Sequence, residues 1–152
     1  QGSYEMIARF LDQYSSVSML DKVNYWQQVV FSWIIGNADM HLKNFSLYSI
    51  REGHYVLCPT YDQVSTKIVM PEDTEEVALS LNGFKKSLLV YDFREAMFST
   101  GLSEVVANRI LSGFAKFRDK WMVCIDNSFI SDNQKKQYKK LIDHRLGTLA
   151  KE

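Results

Sequence analysis

The chain is poor in the residues that staple, kink or punctuate a backbone. Two prolines, seven glycines and two cysteines are spread over 152 residues. Cys58 and Cys124 can make at most one bridge and have no metal-ligand spacing, which excludes a disulfide scaffold or a zinc ribbon; they read as reduced thiols of a cytoplasmic protein. Neither sign of charge is in excess: 18 basic and 18 acidic residues leave a net charge of zero. That argues against a bulk nucleic-acid binder, so no direct nucleic-acid contact is expected, and against a polybasic membrane surface. No apolar run approaches the roughly 18 residues that a membrane span needs, and no signal peptide is visible. Repeats, low-complexity tracts and linkers are absent. So is an initiator methionine: the chain opens QGSYEM, from which we expect a piece of a longer protein.

What is present is material for a core. Hydrophobic residues make up 46% and aromatics 13% of the chain, enough for one domain over residues 1–152. Ile7, Phe10, Leu11 and Tyr14 recur at helical spacing and predict a helix over 4–14. Leu20, Val23, Trp26, Val30, Trp33 and Ile34 predict a buried stripe on a second helix over 19–35, which Gly36 is placed to end. FSLYSI and HYVLCP, separated by the turn REG, predict a hairpin over about 45–58 that Pro59 stops. Residues 62–79, with the acidic run PEDTEE, read as a long surface loop. ALSLNGFKKSLL suggests a short hairpin about Asn82-Gly83. Asp92 is placed to cap a helix over 93–100, stopped by Gly101. Ser103 is placed to cap the longest helix, with Val106, Ile110, Phe114, Phe117, Trp121 and Ile125 on one face. A last helix spans Asp132 to Leu149. The fold class is mainly α with a small β-hairpin insertion.

The functional signal is the stretch GNADMHLKN, residues 36–44, which follows the apolar run VVFSWII. Asp39 and Asn44 lie five residues apart, and Asp62 follows 18 later, just past the hairpin. A hairpin brings its ends together, so Asn44 and Asp62 should converge. Two converging oxygen ligands suit Mg²⁺, which takes few protein oxygens and fills its shell with phosphate and water. An Asp ahead of the metal Asn is the arrangement phosphoryl transfer needs: one carboxylate orients the attacking hydroxyl, and the Asn and second Asp hold the metal. An Asp, a His and an Asn just after a helix also serve as turn and cap residues. The order Asp-x₄-Asn, hairpin, Tyr-Asp favours the chemical reading.

WIIGNADMHLKNFSLY, YVLCPTYDQVST and ALSLNGFKK, taken in that order, resemble the C-terminal lobe of HipA-like serine/threonine kinases, the toxin halves of bacterial toxin–antitoxin pairs. The resemblance covers most of residues 4–149 and is strongest over 33–84. It implies a protein-kinase-like C-lobe that transfers the γ-phosphate of ATP to a protein Ser or Thr with Mg²⁺. Carried over by position, Asp39 resembles the catalytic aspartate, and Asn44 and Asp62 the magnesium and nucleotide ligands. Family members have an N-terminal lobe with a glycine-rich loop and an ATP-contacting Lys. This sequence holds no G-x-G-x-x-G and no such Lys upstream. The expected partners are therefore an N-terminal kinase lobe, an antitoxin of helix-turn-helix type and a protein substrate, with the chain inactive by itself.

Other residues have two readings. Lys43 could neutralise phosphate or be solvated. His41 is placed to orient the catalytic loop through hydrogen bonds. His54 and His144 read as surface residues, and Thr60, Tyr61, Ser65 and Thr66 as packing or substrate contacts. QKKQYKK (134–140) reads as the solvated face of the last helix, with Tyr138, Leu141, Ile142 and Leu149 buried. Asp39-x-His41-x-x-Asn44 also resembles the loop of aminoglycoside and choline phosphotransferases, though YDQVST and ALSLNG favour the HipA type. A third reading is a helical interaction module with vestigial kinase residues.

Overall fold

The computed structural model describes residues 2–151, and the first of its helices forms where the sequence supplies a cap. The Ser3 hydroxyl accepts from the Met6 N–H and opens α1, Tyr4–Tyr14. The second helix, α2, runs Ser18–Ile34 and is the axis of the fold. Tyr25, Trp26, Val29, Val30, Trp33 and Ile34 are all buried along it. Two of its aromatic donors are satisfied at a distance: Trp26 Nε1 donates to Thr100 Oγ1 at 3.1 Å and Trp33 Nε1 to Glu76 Oε2 at 2.7 Å. The expected stripe was one residue too generous. Leu20 is 60% exposed, as are Phe10 and Tyr14 to a similar degree, the latter pair stacking on each other at 4.3 Å.

The expected hairpin forms, β1 Leu47–Arg51 against β2 His54–Leu57, antiparallel with Leu47 opposite Leu57. It is pinned to α2 rather than free. Asp21, buried on the first turn of α2, accepts from the Leu57 N–H at 2.7 Å and from the Ser15 hydroxyl at 2.6 Å. The Cys58 N–H donates to the Ser46 C=O at 2.8 Å, extending the pairing toward the strand ends. Gln28 and Ser32, further along α2, hold the Cys58 carbonyl and the Gln63 amide. Three side chains on one helix thereby fix the route by which the chain returns from β2.

The long stretch expected to be a loop over 62–79 contains a single short turn of helix, α3 Thr66–Val69. The Asn82-Gly83 turn is present, both residues at positive φ (48° and 84°), but the pairing reduces to one bridge, Leu81 with Phe84. Helix α4 spans Val90–Ser99, starting before Asp92. Asp92 sits in its first turn and accepts from the Leu89 N–H at 2.9 Å, so it closes the helix from inside rather than capping it.

Ser103 caps α5, Glu104–Gly113. The expected long helix is broken there: Ala115–Phe117 form a 3₁₀ turn, and α6 resumes at Arg118–Asp126. The apolar spacing is compatible with both forms, since a tighter turn keeps residues three apart on one side. The last helix, α7, spans Asp132–Leu149 as expected, opened by a reciprocal Ser131–Gln134 capping box. Ile142 and Leu149 are buried on it, while Tyr138 and Leu141 are half-buried. Lys135 and Lys139 from the basic cluster both bond Asp126 on α6, at 2.9 and 2.5 Å. Both cysteines are free. No helix among the described residues is long and apolar enough to cross a membrane.

Candidate active site

The site begins at the end of α2. The Asn37 N–H donates to the Ser32 C=O at 2.9 Å and the Gly36 N–H to the Trp33 C=O at 3.0 Å, the two bonds of a Schellman motif. The motif needs a residue at positive φ, and Gly36 supplies it at +81°. Space demands glycine as well. A Cβ there would lie 2.7 Å from Leu141 Cδ2, 2.9 Å from Ser65 Oγ and 3.0 Å from Lys67 Cβ.

Asn37 then does what its place in the motif does not reveal. It is buried, and its Oδ1 accepts from the Asp39 N–H at 3.0 Å, while its Nδ2 donates to the Asp62 C=O at 3.1 Å. One amide therefore ties the backbones of Asp39 and Asp62. Sequence reasoning passed over Asn37, because Gly-Asn after a helix reads as turn chemistry; its proximity to the two aspartates is visible only once the hairpin is folded. Met40, fully buried, anchors the next turn, and the Tyr4 hydroxyl donates to its carbonyl at 2.9 Å. A 3₁₀ turn over Leu42–Asn44 leads into the hairpin.

Asn44 and Asp62 meet: Asn44 Nδ2 donates to Asp62 Oδ2 at 2.7 Å. Asn44 is buried and Asp62 is exposed, with Asp62 in the left-handed region at φ +54°. Asp39 also faces solvent, its side chain 65% exposed, 3.8 Å from His41 Nε2. The His41 carbonyl accepts from the Asn44 N–H at 3.0 Å, so His41 organises the turn through its backbone, while its ring is too far from Asp39 for a hydrogen bond. The Lys43 side chain is exposed and has no ion-pair partner among the described residues; its carbonyl accepts from the Tyr61 hydroxyl at 2.9 Å. Tyr61, next to Asp62, thus staples the two sides of the site.

The segment after Asp62 braces the loop from behind. Thr66 Oγ1 accepts from the Ala38 N–H at 2.8 Å and donates to the Gly36 C=O at 3.2 Å, and the Lys67 N–H donates to the same carbonyl at 3.0 Å. Thr66 is therefore a packing residue. His54 is half-buried and His144 exposed.

The donor set fits a small hard cation. A carboxylate and an amide meet where Asn44 contacts Asp62, the Asn44 amide presenting its Nδ2 to Asp62, and no group of three or more His, Cys, Asp or Glu side chains placed to hold a metal ion occurs among the described residues. A cation held there would have to complete its shell with water and phosphate oxygens, the habit of Mg²⁺.

A Haemophilus influenzae protein named "Putative kinase" is 29% identical over 115 residues, covering 76% of this chain and 32% of that protein. "Putative kinase Y4dM" of Sinorhizobium fredii is 40% identical over 86 residues, 57% of this chain and 20% of the relative. The chain thus spans a third or less of these relatives. In structure it is similar to a chain of the Shewanella oneidensis MR-1 toxin–antitoxin complex of HipA, HipB and operator DNA: TM-score 0.81 at 20% identity, over 97% of this chain and 37% of that one. The HipA-like C-terminal domain matches residues 1–121, and the chain belongs to that family.

Proposed function

We propose that the chain carries the transfer loop of a protein serine/threonine kinase, in which Asp39 is the catalytic aspartate and Asn44 and Asp62 hold Mg²⁺. The observation that carries this reading is the 2.7 Å contact of Asn44 with Asp62, made from opposite ends of the hairpin and tied by Asn37 to an exposed Asp39. The bound Mg²⁺ would neutralise charge on the phosphates of ATP. Asp39 orients the substrate hydroxyl and accepts its proton. His41 holds the loop in register, and Lys43 supplies a cation toward phosphate. The rest of the ATP site, including the glycine-rich cradle that this sequence lacks, belongs to an N-terminal lobe acting with this one. An antitoxin of helix-turn-helix type is the expected regulatory partner, a reading supported by the presence of HipB and operator DNA in the complex of the Shewanella neighbour.

The test is Asp39→Asn in the complete kinase. The substitution keeps size and hydrogen bonding but removes the base, while the metal pair stays intact. Transfer to Ser or Thr should fall by roughly 10²–10⁴-fold with nucleotide binding retained. Undiminished transfer would remove Asp39 from the chemistry.

A further inference from the structure

A cleft of about 400 Å³ lies between the segment after Asp62 and α7. Basic residues line it: Lys67 from α3, and His144, Arg145 and Lys151 from α7 and its end. Glu76 is the one carboxylate among its lining residues, and it is already engaged, accepting from Trp33 Nε1 at 2.7 Å and from the Ser87 N–H at 2.7 Å. Neither Lys67 nor Arg145 has a carboxylate within ion-pair distance among the described residues.

Arg145 is the unusual member. It is almost fully buried, with its guanidinium over the Trp33 ring at 4.9 Å. It makes one hydrogen bond among the described residues, from Nη1 to the Trp33 carbonyl. A guanidinium has five N–H donors, and those not spent on Trp33 have no protein acceptor. Burial without a full counter-charge draws its pKa down to about 10. Lys67 is likewise spent only on a neutral acceptor, the Asp73 carbonyl. Beside that carbonyl, Thr74 lines the same cleft with an exposed hydroxyl. The site thus combines a buried planar cation, a primary ammonium, an imidazole and hydroxyls against a single carboxylate, Glu76, whose charge reaches Arg145 but forms no ion pair with it. That is the composition of a phosphoryl-recognition site.

We propose that this cleft binds a phosphoryl group, held by Arg145 and Lys67 with His144 at its edge, and supplied either by a free phosphate or phosphoester or by phosphorylation of Thr74. In the second case a nucleoside triphosphate is the donor: the Thr74 oxygen bonds to the γ-phosphorus, the bridging P–O bond to the leaving nucleoside diphosphate breaks, and the hydroxyl proton leaves to solvent or to the base of the phosphorylating enzyme. Occupation would fasten α3 to α7. Because Lys67 and Thr66 hold the backbone of Gly36 and Ala38, it would also steady the loop that carries Asp39. The proposal does not depend on the transfer role given to Asp39.

The test titrates the chain with inorganic phosphate by calorimetry, beside Lys67→Gln and beside the chain carrying phosphothreonine at 74. Saturable phosphate binding that Lys67→Gln weakens by roughly tenfold or more, the worth of one charge-assisted hydrogen bond, is the expected result. If Thr74 is the source, the phosphothreonine chain no longer takes up free phosphate, and Lys67→Gln lowers its Tm more than that of the unmodified chain. If a free phosphoester is the source, the phosphothreonine chain still binds phosphate. Either pattern supports the site. No saturable binding to the unmodified chain, together with a phosphothreonine chain whose Tm is indifferent to Lys67→Gln, overturns it. Arg145→Lys, which keeps charge but not the planar fork, serves as a second variant should Lys67→Gln fail to fold.

Discussion

Gly36→Ala is the substitution on which the local geometry makes the sharpest demand. Two costs add at that position. The first is backbone strain: alanine at φ +81° costs about 1–2 kcal/mol over glycine. The second is crowding, since the new Cβ would lie 2.7 Å from Leu141 Cδ2 and 2.9 Å from Ser65 Oγ, distances that force α7 or the Ser65 segment to move. Overpacking of this kind costs roughly 1–3 kcal/mol. The sum, roughly 2–5 kcal/mol, is a large share of the ~5–15 kcal/mol that holds a domain folded. Gly83→Ala separates the two costs. Gly83 has φ +84° but nothing within 4 Å of a Cβ, so it suffers the strain alone. Urea unfolding of both variants, with m-values compared, gives the difference directly. Gly36→Ala should exceed Gly83→Ala by at least ~1 kcal/mol, or about 2–4 °C in Tm for each kcal/mol. Equal losses, within about 0.5 kcal/mol, would refute the claim that Leu141 and Ser65 close over Gly36.

Asn37→Ala should cost about 1–3 kcal/mol, because it leaves the Asp39 N–H and Asp62 C=O without their shared partner; in the complete kinase it should also depress kcat more than nucleotide affinity, and a variant that loses stability with full kcat would confine Asn37 to the fold. Titration with Mg²⁺, followed by amide NMR, should shift resonances at Asn44 and Asp62, and Asp62→Ala should abolish the response; persistence of the shifts would place the cation elsewhere. The Arg118 guanidinium holds the Asp143 carboxyl below its ordinary value of 3.8. A folded value below the unfolded one stabilises above the unfolded value and ceases to do so as pH falls through the folded one. Arg118→Gln should therefore lower Tm near neutrality and make no difference in strong acid; a deficit independent of pH would argue that Arg118 acts through packing.

The elements that could be read from the chain were those whose signal is local. Ser103 caps the helix that follows it, as expected, and α1 and α7 have the boundaries expected of them. Gly36 and Asn82-Gly83 were legible because positive φ selects residue type. The meeting of Asn44 with Asp62 was legible because a hairpin has only one way to return. What escaped had no local signature. The break at Ala115–Phe117 leaves apolar spacing intact, so the pattern runs through it. The exposure of Phe10, Tyr14 and Leu20 depends on what α2 and its neighbours leave uncovered, not on spacing. Asp92 was expected to cap α4 and instead closes its first turn, a shift of one helical turn that the preceding Leu89 does nothing to announce. Asn37 is the instructive omission: its role is defined by two partners, one of them 25 residues away.

The double engagement of Thr66 has a consequence for how this region comes apart. Its hydroxyl and the adjacent Lys67 N–H together close bonds to Gly36 and Ala38, while Asn37 closes others to Asp39 and Asp62. The two strands of this knot have no slack between them, so neither can fray while the other stays shut. Amide protons on both sides should exchange with solvent through one shared opening, at one free energy, as a single cooperative unit. Opening of such a knot is all-or-none: thermal agitation does not loosen its backbone by degrees, but removes a small fraction of molecules from the closed population entirely.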